Sequence, residues 1–173
     1  MTLIPFLLKE MIMAKLKILT EGNPVLNKKS KAVKKVLPHH LMLIRDMYET
    51  MKAAPGIGLA APQVGINERI IVVDIGEGMT AMVNPKIVKR SGKITCMEGC
   101  LSVPGVEGPV ERSSVICVKG LDQGGKPFTV DAEGLLAIVF QHEIDHLDGI
   151  LFIDRVEDPS QIVPKKATKE ETI

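Results

Sequence analysis

No uninterrupted run of 18 apolar residues occurs in this chain of 173 residues, so no helical membrane span is expected. A surplus of one charge is also missing. Lys+Arg number 22 and Asp+Glu 21, and a net charge of +1 argues against a dedicated nucleic-acid binder. Cysteine is scarce and odd in number, with three residues, and no secretory leader is recognisable. A disulfide framework is therefore not expected, and a reducing cytoplasm is. The lysines at 28, 29, 31, 34 and 35 have no aromatic residue interleaved for base stacking and read as a solvated loop.

What is present is ordinary globular material, 45% hydrophobic and 25% charged. A single domain of this size buries about 70% of its unfolded surface. Residues 1–12 are expected as a small N-terminal extension without a catalytic part. Their apolar run from Leu3 to Leu8 is too short for a signal-peptide core, and Met13 looks like an alternative start.

The most informative stretch is QHEIDHLDG, residues 141–149. On a helix turning about 100° per residue, His142 and His146 lie only about 40° apart. Two imidazoles so placed can grip one metal ion from the same side. Glu143, rotated about 100° from His142, can serve a water at that ion without being a ligand. Leu135, Ile138, Val139, His142 and His146 follow i, i+3, i+4, i+7, i+11 spacing, which puts both histidines on the core-facing stripe of a helix over 132–147. Asp131 is the expected N-cap, Glu133 suits the first turn, and Gly149 is the expected stop.

Upstream, Pro38 suits the start of another helix with Leu41, Ile44, Tyr48 and Met51 as its apolar stripe. His39 and His40, without an acidic or cysteine partner nearby, are expected at the surface. The segment GIGLAAPQ (56–63) offers backbone at Gly56, Ile57 and Gly58 that something must approach closely, and Gln63 is its one side chain able to bond a bound carbonyl. Strand-like runs at 69–75, 81–88, 114–119 and 127–130 are joined by short turns with no helices between them, which favours antiparallel pairing. The expected fold class is α+β: small antiparallel β-sheets packed around the central His-Glu-x-x-His helix, with an N-terminal helix.

Hydrolytic sites of this kind take three protein ligands and keep one position open. Nothing downstream of His146 supplies a convincing third, since Asp148, Asp154, Glu157 and Asp158 belong to a polar tail. The best candidate is Cys100, in Glu98-Gly99-Cys100-Leu101-Ser102. Cys117, inside an apolar run, reads as a small buried hydrophobe. A closed structural site of Cys96, Cys100, His142 and His146 is the rival, although it has no use for Glu143.

Together, GIGLAAPQ (56–63), EGCLS (98–102) and QHEIDHLDG (141–149) resemble, in that order and spacing, the peptide deformylases of bacteria, from about Leu16 to Ile153. The resemblance implies a single catalytic metallohydrolase domain over 13–156, followed by a polar tail over 157–173. It implies Cys100, His142 and His146 as metal ligands, Glu143 as general acid/base, and Gln63 with the Leu101 N–H as donors to the formyl oxygen. The methionine pocket would be lined by Ile57, Leu135, Ile138 and Val139, with Gly56, Gly58 and Glu98 at the substrate. One Fe2+ per chain is the implied cofactor, with Zn2+, Ni2+ or Co2+ able to substitute. The implied partners are N-formylmethionyl nascent peptides and, transiently, the ribosome, with no direct nucleic-acid or membrane binding. Two features depart from the family. Glu107 stands where many members carry an arginine, and residues 154–173 are charged and proline-broken rather than a helix. Arg112 matches a family arginine and is expected to pair with an acidic neighbour. A His-Glu-x-x-His endopeptidase and a non-catalytic metal-stabilised module are the alternatives.

Overall fold

The computed structural model describes residues 15–165. The extension expected at 1–12 and the last eight residues of the tail lie outside them. Within the described residues, helix α1 (Pro38–Ala53) precedes seven strands: β1 (Gly58–Ala60), β2 (Ile70–Val73), β3 (Thr80–Ser91), β4 (Ile94–Cys100), β5 (Val103–Arg112), β6 (Val115–Leu121) and β7 (Pro127–Glu133). Helix α2 (Gly134–Leu147) follows, and β8 (Val163–Pro164) comes last. Every pairing between strands is antiparallel. One sheet has the order β1-β2-β3-β6-β7 and the other β4-β5-β8. The α+β architecture is as expected.

Strand β2 shows why the larger sheet forms. All four of its residues are buried, because it has a helix on each side. Ile70 and Val72 join the cluster around Ile44, Met47 and Met51 of α1, while Ile71 and Val73 join Phe140, Ile144 and Leu147 of α2. A strand covered on both faces reads as a continuous apolar run rather than an alternating one. A third cluster of Leu26, Val103, Val110, Leu151, Phe152 and Val156 ties the smaller sheet to the segment after α2.

Several details differ from expectation. Asp131 does not cap α2. It lies in β7 opposite Cys117, and the strand passes into the helix at Glu133–Gly134 without a linker. Cys117 is only half-buried, and the Asp131 carboxylate beside it pushes its thiol up. In α1 the buried face runs through Ile44, Met47 and Met51, leaving Leu41 43% exposed. His40 is buried, not superficial. Its Nδ1 accepts from Leu37 N–H at 2.9 Å and its Nε2 lies 3.3 Å from Glu68, a residue distant in sequence. The β4–β5 hairpin runs through a region outside the strand-like runs expected from sequence, and Val163–Pro164 of the expected tail pairs with β5.

The far end of α2 is held firmly. Leu147 O accepts from Ser30 N at 2.7 Å and from Arg69 Nη1 at 3.1 Å. Gly149 has φ +76°, a left-handed conformation, and a Cβ there would meet the backbone of Asn27 and Lys28 at 2.8–3.0 Å. This glycine ends the helix as expected.

Candidate metal centre

Cys100 ends β4, and a register shift between Gly99 and Cys100 turns its sulfur toward α2. Cys100 Sγ lies 3.2 Å from His146 Nε2. The ligand atoms of Cys100, His142 and His146 all fall within 4.8 Å of one another, the neighbourhood of one small cation. A thiolate with two imidazoles suits a divalent transition metal. Cys96 is not part of this group. It stands four residues up an extended strand, about 13 Å away by strand rise, and its thiol turns to Met97 O. The closed four-ligand arrangement therefore does not form.

Behind the imidazoles runs a chain of charges. His142 Nδ1–H donates to Glu98 Oε2 at 2.8 Å, which leaves Nε2 free for the group with Cys100 and His146. Arg112 grips Glu98 with two bonds, Nε to Oε1 at 2.7 Å and Nη2 to Oε2 at 2.9 Å. Its Nη1 reaches Asp145 Oδ2 at 2.5 Å, and Arg155 bonds both oxygens of Asp145. Arg112 thus pairs with acidic neighbours as expected, and with two of them. Burial alone would raise the Glu98 carboxyl, but Arg112 and His142 outweigh it and hold it below the ordinary value. Burial pulls His142 down as well, yet Cys100 and Glu98 lift it well above a free imidazole. His146, buried and close to the His142 and Arg112 charges, is held well below.

Glu143 is placed differently. It is 4% exposed, and its Oε2 has no hydrogen-bond partner among the described residues. Burial, opposed by His142, pushes its carboxyl up to about 7. Gly58 makes room for it, since a Cβ there would come within 2.8 Å of the carboxyl carbon. Gly56 does the same for Leu101, whose Cδ1 would lie 2.9 Å from an added Cβ. Gln63 is fixed at both ends of its amide: Oε1 accepts from Ala60 N at 2.8 Å, and Nε2 donates to Ser102 Oγ at 3.1 Å and approaches Cys100 Sγ at 3.6 Å. The segment before α1 backs both loops, with Leu19 N–H on Gln63 O and Glu21 N–H on Ser102 O, each at 2.7 Å.

One cavity of about 510 Å³, within the size range of small-ligand sites, brings together Gly56, Ile57, Gly58, Gln63, Glu98, Cys100, Leu101, Leu135, Ile138, Val139, His142 and Glu143. His146 lies beneath, 1% exposed. Ile57 and Leu135, at 44% and 50% exposed, stand at the rim, whereas Ile138 and Val139 are buried. Sequence reading did not single out Asp145, Gln141, Ser102 or Arg155. A signal existed for the first two: Gln141 and Asp145 are polar, four apart, on a helix already expected to be buried, so each needed a partner.

The polypeptide deformylase family model matches residues 15–161. A peptide deformylase of Pelotomaculum thermopropionicum is 51% identical over 154 residues, 89% of this chain and 99% of its own. One from Halothermothrix orenii is 56% identical over 137 residues, covering 78% and 89%. The crystal structure of the Thermotoga maritima peptide deformylase superposes with a TM-score of 0.82 at 42% identity, over 84% of this chain and 99% of that one.

Proposed function

The chain belongs to the polypeptide deformylase family, and from that premise we infer that Cys100, His142 and His146 are its metal ligands, with ferrous iron as the resident ion. It is a metal-dependent enzyme that removes the N-formyl group from nascent polypeptides. The thiolate–imidazole set accepts Fe2+, and Zn2+, Ni2+ or Co2+ can substitute, since all tolerate these donors. Held by Cys100, His142 and His146, such an ion would acidify water and polarise the formyl carbonyl.

The other residues divide the remaining work. Glu143, next to His142 and without a hydrogen-bond partner among the described residues, takes a proton from the attacking water. As the new C–O bond forms, Gln63 Nε2–H and Leu101 N–H donate to the carbonyl oxygen as it gains negative charge. Glu143 then delivers its proton to the departing nitrogen as the C–N bond breaks, giving formate and a free amine. Ile138 and Val139 provide an apolar slot for the methionine side chain. Among the described residues, β1 and β4 each have one unpaired edge, and both strands reach the cavity, so an extended peptide can pair there. We place this activity in the bacterial cytoplasm, where nascent chains emerge. No helix of the described residues is long and apolar enough to cross a membrane.

The observation that carries this reading is the thiolate beside the two imidazoles, with the buried unpaired carboxylate of Glu143 at the same cavity. Protein loaded anaerobically with iron should release formate from formyl-Met-Ala-Ser. Glu143→Gln should lower kcat by about 10²–10⁴ with metal content unchanged, and Cys100→Ala should lose most of the metal. Cleavage of internal peptide bonds without formate would transfer the assignment to an endopeptidase.

A further inference from the structure

The rim of the cavity carries a charge with no part in the chemistry above. Just past β8, Lys165 N–H donates to Gly105 O at 3.0 Å, and both residues line the cavity with Pro104 and Ile57. The charged or chargeable residues among the lining are Cys96, Glu98, Cys100, His142, Glu143 and Lys165. Glu98 is bound by Arg112 and His142, and Glu143 is buried. Lys165 alone is exposed, and its ammonium has no carboxylate partner among the described residues.

We propose that Lys165 is a specificity-determining residue that selects formylated peptides bearing a carboxylate two or three residues in from the formyl end. This rests on the deformylase reading above. With the first side chain in the slot at Ile138 and Val139, an extended peptide rises about 3.3 Å per residue, so its second and third residues pass the rim. The β8 pairing and the bond to Gly105 hold the Lys165 backbone there, leaving the flexible side chain to reach along the peptide. A carboxylate held in this way is attracted equally before and during the reaction, so the effect falls on KM rather than kcat. At an exposed site the preference is modest and is weakened by salt.

The test compares C-terminally amidated formyl-Met-Ala-Asp with formyl-Met-Ala-Lys. At low ionic strength the iron-loaded enzyme should give the aspartate peptide a KM about two- to five-fold lower. Lys165→Glu should reverse that order, and high salt should merge the two values in both proteins. A non-amidated formyl-Met-Ala-Ser separates attraction of a terminal carboxylate from attraction of a side chain. The Kd values of the unformylated product peptides, read by calorimetry, report the same contrast without turnover. An unchanged aspartate-to-lysine ratio in Lys165→Glu overturns the proposal. Failure of every peptide to release formate would instead overturn the deformylase reading, leaving the Kd contrast to decide on Lys165.

Discussion

The two sides of α2 bury polar residues under opposite terms. On the side facing Arg90 and Ser113, Gln141 uses its whole amide: Oε1 accepts from Arg90 and Ser113 N, and Nε2 donates to Ser113 O and Ala137 O. Asp145, one turn on, holds two guanidinium groups. On the cavity side, Glu143 Oε2 and His146 Nδ1 are buried without partners among the described residues. An unsatisfied buried polar atom costs about 1–3 kcal/mol. The fold therefore spends stability where chemistry is to be done and recovers it one face away. Closed networks mark scaffold, and the open one faces the cavity of the proposed site.

That contrast can be broken from either side. The largest effect should come from Arg112→Leu, which leaves Glu98 and Asp145 buried beside fewer cations. Unfolding of the metal-free protein in urea should lose about 3–5 kcal/mol, and the metal should bind more weakly as His142 loses its braced partner. Gln141→Leu should cost about 1–3 kcal/mol in the same assay, because Ser113 N–H and Ser113 O lose their partner. Asp74, remote from α2, should matter less. The Tyr48 hydroxyl at 2.7 Å and the amides of Gly76 and Gly78 hold its carboxyl below the ordinary value. A lowered pKa stabilises the fold above the unfolded carboxylate's pKa, and this is lost as pH falls through the folded value. The Tm gap between wild type and Asp74→Asn should accordingly close in strong acid. Smallest of all should be the effect of Glu143→Gln on metal-free stability, which should stay level or rise although turnover collapses. A clear destabilisation there would make Glu143 scaffold after all.

The legible parts of the molecule were those governed by local periodicity. The stripe through Ile138, Val139 and the two histidines is a property of α2 alone, and the runs at 69–75 and 127–130 are rich in β-formers. The β4–β5 hairpin was not legible, because ITCMEGC and VPGVEGPVER are broken by glycine, proline and glutamate. Those residues are poor strand formers in isolation, and cross-strand pairing overrides that preference. The burial of His40 is not legible from sequence, because its partner Glu68 is distant along the chain. Asp131 looked like a cap because a strand leading straight into a helix leaves no composition change at the border. At the site, residue types and spacing pointed to the group of Cys100, His142 and His146, whereas the chain from Glu98 through Arg112 to Asp145 and Arg155 joins four separate segments.

That seamless passage from β7 into α2 has a consequence for inheritance of position. Gly134 N–H is tied to Ser114 O at 2.9 Å, so the first residue of the helix is indexed to the sheet rather than to a loop. The sheet thereby sets the angular phase of everything downstream. A single residue inserted between Glu133 and Gly134 would rotate both imidazoles by about 100°, away from the sulfur at the end of β4, with every side chain of the site still present.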